Sequence, residues 1–162
     1  MATEIERKFL VVGESWRAET MSHAQMIQAY LFSAPDRSMR VRIENDSRAT
    51  LCIKFGASPL FRDEFEYPIP VADAKELVVH ASGAVIEKTR YLSHFQGYLW
   101  EIDVYGGVYA GLIVAEVEMD STEDNPPLPA WVGLEVTHDR RYSNAMLATR
   151  NMAGELGHGP AI

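Results

Sequence analysis

The sequence predicts an α+β protein: an eight-stranded antiparallel β-barrel that forms a tunnel with a hydrophilic lumen, with helices packed on the outside. Candidate strands dominate the chain, and two segments show the apolar periodicity of an amphipathic helix. Strand after strand also places ionisable side chains at positions i and i+2, which lie on the same face of a strand. Eight strands are enough to close a barrel wide enough for a small ligand.

The candidate strands are separated by turns that contain Gly, Pro, Asn or Asp. In chain order they cover residues 3–12, 24–34, 38–45, 49–56, 61–69, 84–94, 98–105 and 111–120.

Two helices follow from the remaining periodic segments. Residues 71–81 repeat apolar side chains at i, i+3, i+4 and i+7, between two prolines and Gly83. Residues 143–153 begin with Ser143, a favourable N-cap residue. A short helix is also expected near residues 14–18. We therefore predict one domain over residues 1–153 and a flexible tail over residues 154–162.

The polar faces of several strands carry charges of a single sign. The like pairs are Arg40 with Arg42, Lys88 with Arg90, Glu101 with Asp103, and Glu116 with Glu118. A solvent-facing side of an antiparallel sheet explains any one such strand. Adjacent like charges repel, however, unless opposite charge neutralises them. Cationic and anionic strands that face each other across a bound polyanion and metal ions solve this problem, which places the polar face inside the barrel.

The bulk composition narrows the class of function. The formal net charge of −8 argues against broad nucleic-acid binding. No run of about 20 apolar residues predicts a membrane span, and the N-terminus does not have the pattern of a signal peptide. The lone Cys52 fits a reducing compartment, and we expect a cytoplasmic protein in which this thiol is a small core residue.

The order of motifs resembles the CYTH superfamily, whose members are also called triphosphate tunnel metalloenzymes. Near the N-terminus, Glu4-Ile5-Glu6-Arg7-Lys8 matches the ExExK signature of that superfamily. The resemblance spans about residues 2 to 150. It continues through Tyr30-Leu31, Arg40-Val41-Arg42, Ile53-Lys54, Glu64-Phe65-Glu66-Tyr67, Lys88-Thr89-Arg90-Tyr91, Trp100-Glu101-Ile102-Asp103, Glu116-Val117-Glu118 and Arg141-Tyr142-Ser143-Asn144. Within the superfamily, the chain is most similar to the compact bacterial inorganic triphosphatase (tripolyphosphatase) branch.

This resemblance implies an eight-stranded tunnel and a metal-dependent hydrolysis of inorganic triphosphate to diphosphate and phosphate. Other activities of the superfamily stay open as alternatives: a class IV-type adenylate cyclase or a thiamine triphosphatase. A non-catalytic module that binds polyphosphate or nucleotides is a second alternative. The expected partner is a small triphosphate, with no nucleic acid and no membrane. The apolar outer wall could support a homodimer, unless helices cover it.

The expected cofactor is Mg²⁺ or Mn²⁺, because both ions prefer carboxylate oxygens and water. The resemblance implies the metal ligands Glu4, Glu6, Asp103, Glu116 and Glu118. The implied catalytic residues are Glu4, Glu6, Lys8, Lys54 and Lys88. The implied substrate-binding residues are Lys8, Arg40, Arg42, Lys54, Lys88, Arg90, Glu64, Glu66 and Tyr30.

Some roles stay open at this point. Glu64 and Glu66 could hold the basic residues in position or join the metal ligands. Tyr30 could instead be a core aromatic residue. Arg7 belongs to the ExExK motif, but strand alternation puts it on the outer face with Ile5, away from the tunnel.

Overall fold

The computed structural model describes residues 2–150 together with residues 152 and 156. The described strands are β1 (Ala2–Val11), β2 (Ser22–Ala34), β3 (Arg37–Glu44), β4 (Arg48–Phe55), β5 (Phe61–Ile69), β6 (Ile86–Phe95), β7 (Tyr98–Tyr105), β8 (Ile113–Glu118) and β9 (Val132–Glu135). The first eight match the predicted strands to within a few residues at each end.

The strands β1 to β8 form a closed antiparallel barrel. Their order around the wall is β5-β4-β3-β2-β6-β7-β8-β1, and β1 pairs with β5 to complete the circle. In the registers, Glu4 lies opposite Arg62 on β5, and Lys8 lies opposite Glu116 on β8. The predicted eight-stranded barrel is therefore confirmed. Because the side chains of Glu4 and Lys8 face the same way, both strands bring charged residues to one interior.

The ninth strand was not predicted from the sequence. β9 is four residues long and pairs with β1 beyond the segment that pairs with β5, with Phe9 opposite Glu135. A segment this short, preceded by a Pro-rich loop, carries little periodicity. β9 completes the barrel edge because it covers the part of β1 that β5 does not reach.

The described residues form two α-helices beside the barrel, and both are shorter than predicted. The first packs on the outer wall, whereas residues of the second line the cavity. α1 covers Val71–Val78 and α2 covers Asn144–Thr149. Ser143 caps α2 as predicted, since its hydroxyl accepts a hydrogen bond of 3.1 Å from the Met146 N–H. The short helix predicted near residues 14–18 is present as a 3₁₀ helix, Ser15–Glu19. The predicted tail, apart from residue 156, lies outside the described residues.

Aromatic packing covers part of the outer wall. Trp16, Trp100 and Trp131 are almost fully buried, and the rings of Trp100 and Trp131 meet edge to face at 5.6 Å. α1 covers another part, where Ala74 packs on Val41. These clusters fix the strands from outside, so that the side chains on the other face project into the lumen from a rigid frame.

The outer faces of β4 and β5 are less covered. Phe55, Phe61 and Tyr67 have 42%, 45% and 53% of their surface exposed. These exposed side chains do not show whether a second copy of the chain binds here, so a homodimer stays a prediction. Within the described residues, no helix has the length and apolar character that crossing a membrane requires.

Candidate active site

The barrel encloses a polar cavity of about 760 Å³. Most of the predicted site residues lie on its wall, and they come from seven of the eight barrel strands. They are Glu4, Glu6, Lys8, Tyr30, Arg40, Arg42, Lys54, Glu64, Glu66, Arg90, Glu116 and Glu118. Lys88 and Asp103 are buried on the same inner face as Arg90 and Glu101 but do not line this cavity. Arg7 points outward and forms an ion pair of 2.7 Å with Glu135 on β9, as strand alternation predicts.

On this inner face, Asp103 pairs with two cations at once. Its carboxylate accepts hydrogen bonds of 2.7 and 2.9 Å from Arg90 and one of 2.7 Å from Lys88. Burial would raise the pKa of Asp103, but the charges of Arg90 and Lys88 hold it well below its usual value. Burial lowers the pKa of Lys88 to about 7, because one carboxylate cannot neutralise two cations and the bidentate guanidinium takes the larger share.

Two carboxyl groups meet on β1 and β8. The pKa of Glu6 lies well above its usual value because of burial and the charges of Glu116 and Glu4. The contact between Glu6 and Glu116 raises the pKa of Glu6 and lowers that of Glu116, which the charge of Lys8 also lowers. Glu118 lies directly opposite Glu6 in the register, and burial together with nearby carboxylates raises its pKa as well. This side of the lumen therefore has more negative charge than the protein neutralises.

A third cluster joins β1, β4 and β5. Glu4 accepts a hydrogen bond of 2.9 Å from Lys54 and lies 3.4 Å from Arg62. Burial would raise the pKa of Glu4, but these two cations lower it. Lys54 also lies 3.6 Å from Glu64. Glu4 and Glu64 are thus held among basic residues.

The arginines of β3 differ from every cation named so far. Among the described residues, neither Arg40 nor Arg42 has a carboxylate within ion-pair distance, although Arg40 is buried and Arg42 is half-buried. Arg40 contacts the Tyr30 hydroxyl, and its Nε has no hydrogen-bond partner in the described part of the chain. Burial and the charges of Arg40 and Arg90 lower the pKa of Arg42 to about 10. Two neighbouring arginines without an acidic partner are an arrangement suited to an anion.

The donor chemistry fits a hard divalent cation. Glu4, Glu6, Glu116 and Glu118 offer carboxylate oxygens, and a cation would relieve the repulsion that raises the pKa of Glu6. The tightest potential ligand group in the described chain is a different one, since ligand atoms of Cys52, Glu64 and Glu66 lie within 4.8 Å of one another. Burial raises the pKa of the Cys52 thiol to about 11, so at neutral pH it is a poor ligand for Mg²⁺.

Several residues on or beside the cavity were not assigned from the sequence. Glu101 lines the cavity and lies 3.1 Å from Arg90. Its position two residues before Asp103 on the same strand face was the signal that could have identified it. Asn144, at the start of α2, accepts hydrogen bonds from Tyr105 at 2.6 Å and from Lys88 at 3.3 Å. No local pattern marks Asn144, because its partners lie far away in the sequence.

The C-terminal segment closes around Lys8. The Lys8 ammonium donates a hydrogen bond of 3.2 Å to the carbonyl of Tyr142 and lies 3.7 Å from Glu116. The Lys8 backbone N–H donates to the hydroxyl of Thr137 at 3.0 Å. These bonds fix a cation at the junction of β1, β8 and the segment that precedes α2, where it faces the cavity.

The closed polar tunnel, with basic and acidic side chains on facing walls, is the arrangement that defines the CYTH fold. A model of the CYTH domain family matches residues 2–150, and the chain belongs to this family.

Curated relatives extend the comparison over nearly the whole chain. The chain is 38% identical to an inorganic triphosphatase of Acetivibrio thermocellus, over 91% of this chain and 94% of the relative. It is 35% identical to an inorganic triphosphatase of Nitrosomonas europaea, over 90% and 97%. A crystal structure of an inorganic triphosphatase superposes with a TM-score of 0.66 at 33% identity, covering 93% of this chain and 97% of that one.

Proposed function

We propose that this protein is an inorganic triphosphatase that hydrolyses tripolyphosphate to diphosphate and phosphate with Mg²⁺ or Mn²⁺. Two relatives of that name at 38% and 35% identity support the reaction. The single observation that carries the proposal is the separation of charge in the lumen, with basic side chains on one side and acidic side chains on the other. Arg40 and Arg42 have no acidic partner among the described residues, while Glu6, Glu116 and Glu118 crowd one another. A polyanion with a divalent cation neutralises both sides at once.

The basic residues bind the substrate. Guanidinium groups take phosphoryl oxygens through two parallel hydrogen bonds, which suits Arg40 and Arg42. Arg90, which Asp103 and Glu101 hold, lines the cavity and adds its positive charge. Lys8 and Lys54 act as point charges toward the same chain of phosphates. Glu64 positions Lys54, whose ammonium it approaches to 3.6 Å. Tyr30 orients Arg40 through its hydroxyl.

The carboxylates Glu4, Glu6, Glu116 and Glu118 would hold the cation. When bound, Mg²⁺ or Mn²⁺ neutralises charge on phosphoryl oxygens and acidifies water. A bound cation would favour the deprotonated form of Glu6, whose pKa the neighbouring carboxylates raise, so cation binding would be coupled to release of a proton to solvent.

The remaining steps are positioning and charge stabilisation, since phosphoryl transfer asks for little covalent chemistry from the protein. The carboxylates orient a water in line with the terminal phosphorus, and Lys8 and Lys54 stabilise the leaving diphosphate. Lys88 and Asp103 are buried beside Arg90 without lining the cavity, and we assign them to holding Arg90 in place.

The cavity favours an inorganic substrate over an esterified one. Among the described residues that line it, Tyr30 is the one aromatic side chain, and it is buried beside Arg40. A nucleobase or the rings of thiamine therefore have no exposed aromatic face on which to stack. We place the activity in the cytoplasm, because the buried lone thiol of Cys52 fits a reducing compartment.

The test is a phosphate-release assay on the purified protein with tripolyphosphate, ATP and thiamine triphosphate, each with Mg²⁺, Mn²⁺ or a chelator. We expect release from tripolyphosphate that depends on the metal and is strongly reduced by Glu4→Ala, Glu118→Ala and Arg42→Ala. Cyclic AMP formed from ATP would indicate the cyclase instead. Tight binding of tripolyphosphate in titration calorimetry without any turnover would indicate a binding module.

A further inference from the structure

The register of the barrel decides which lumen cations are neutralised inside the protein. Four of them lie directly opposite a carboxylate on an adjacent strand. These pairs are Arg62 with Glu4, Lys8 with Glu116, Lys54 with Glu64, and Arg90 with Asp103. Arg42 is different, because it lies opposite Gln28 on β2 and Thr50 on β4, and both of these neighbours are neutral.

Gln28 makes the one side-chain hydrogen bond that holds Arg42 within the described residues. The Arg42 Nε donates to the Gln28 Oε1 over 2.7 Å. A guanidinium has only donors, so the amide oxygen, and not the amide nitrogen, faces Arg42. Gln28 is completely buried, and its Nε2 has no hydrogen-bond partner in the described chain. A buried amide with an unused donor costs stability. The presence of Gln28 at this position therefore needs a functional explanation.

The explanation is that an amide holds the guanidinium without bringing a negative charge. A carboxylate of the same shape would also hold Arg42, but it would neutralise the guanidinium and compete with a phosphoryl group for it. The amide oxygen accepts from Nε and leaves the charge of Arg42 unneutralised, on a residue that lines the cavity. The charges of Arg40 and Arg90 add to the positive potential at the same point.

We propose that Gln28 is a positioning residue that sets the affinity of the tunnel for the triphosphate, because it fixes Arg42 through a neutral acceptor and keeps its charge available to the substrate. This inference rests on the proposed hydrolysis of tripolyphosphate. It concerns substrate binding through Arg42, so the Michaelis constant changes more than the turnover number.

The test compares three variants of the full-length protein with tripolyphosphate and Mg²⁺. Gln28→Glu has the same shape and introduces a competing carboxylate, while Gln28→Met keeps the volume and removes the acceptor. Gln25→Glu is the matched control, because it makes the same change on an exposed position of the same strand. We expect KM to rise about 10- to 100-fold in Gln28→Glu, by an intermediate factor in Gln28→Met, and not at all in Gln25→Glu.

Thermal unfolding of the same variants separates this role from a structural one. The new carboxylate of Gln28→Glu pairs with Arg42, so its Tm is expected to equal or exceed that of the wild type while its KM rises. A KM within twofold of the wild type in Gln28→Glu overturns the inference, and so does a loss of activity that only follows a loss of Tm. If the wild type itself releases no phosphate from tripolyphosphate, the proposed function fails, which is a separate and recognisable outcome.

Discussion

The lumen holds cations in two contrasting situations. On β6, Arg90 has both oxygens of Asp103 as partners and a further contact with Glu101. On β3, Arg42 is held by the amide of Gln28, with no acidic partner within ion-pair distance among the described residues. The positive charge of Arg90 is neutralised by carboxylates of the protein, whereas the positive charge of Arg42 is not.

The contrast shows how one wall can serve both stability and binding. Removing one partner of a closed buried ion pair leaves a buried charge uncompensated, which is costly. Removing an uncompensated cation relieves repulsion in the empty tunnel and harms only the complex with an anion. Stability measurements and activity measurements should therefore separate the two groups of residues.

The largest effect is expected at the buried ion pairs of Asp103 with Arg90 and Lys88. Asp103→Asn leaves Arg90 and Lys88 buried without their carboxylate, and the free energy of unfolding should fall by about 3–5 kcal/mol. Urea unfolding measures this loss. Asp63→Asn, the same change on the outer side of β5, is the control and should change stability by less than about 0.5 kcal/mol. A small loss in Asp103→Asn would show that the cluster does not carry stability.

The second largest effect is expected at Arg42, the arginine without an acidic partner among the described residues. Arg42→Gln should leave Tm unchanged or raise it, because Arg40 and Arg90 no longer face a third like charge. Its kcat/KM for tripolyphosphate should fall about 10- to 100-fold, the value of lost charge-assisted hydrogen bonds. Arg48→Ala, which removes an exposed arginine of β4, serves as the control. A marked fall in Tm for Arg42→Gln would show that Arg42 contributes to stability as the paired cations do, which contradicts this comparison.

A third effect concerns the crowded carboxylates opposite the arginines. Glu118→Gln removes one charge from the proposed metal ligands, so the Mg²⁺ concentration for half-maximal activity should rise by about tenfold or more. The measurement is an Mg²⁺ titration of phosphate release. The exposed Glu123 provides a control in Glu123→Gln. An unchanged metal requirement in Glu118→Gln would exclude this side chain as a ligand.

The smallest effect tests the neutral surroundings of Arg40. Burial raises the pKa of Cys52 from 9.0 to about 11, so this cross-strand neighbour of Arg40 stays uncharged at physiological pH. A raised pKa in the folded state contributes stability that is present below about pH 9 and is lost as pH rises toward 11. Cys52→Ser should flatten the dependence of Tm on pH in that window.

Alkylation gives an independent measurement of the same thiol. At pH 8 iodoacetamide should modify Cys52 much more slowly in the folded protein than in urea. Equal rates in both states would mean that the thiol is neither shielded nor held protonated.

Strand alternation carried much of the sequence prediction. The single-sign pairs at i and i+2 identified the inner face correctly, and Arg40, Arg42, Glu116 and Glu118 all line the cavity. This worked because the two faces of a strand are set by local geometry, which any one strand shows by itself. The same alternation put Arg7 outside, where it pairs with Glu135.

Other features were beyond the reach of a local pattern. β9 is too short to show a period, and it exists only because β1 offers a free edge next to it. Asp103 and Glu101 are two residues apart on one strand face, and alternation treats them alike. In the structure, Asp103 is enclosed by Lys88 and Arg90, whereas Glu101 reaches the cavity.

The sequence by itself determined that this protein is a barrel with charge inside, because each strand carries its polar and apolar residues on opposite faces. Only the tertiary structure decided which of those charges neutralise each other. Gln28 and Arg42 are 14 residues apart, and Lys8 and Glu116 are on strands from opposite ends of the chain. Their partners depend on the register of a closed barrel, and that register is set by packing and hydrogen bonding around the whole wall.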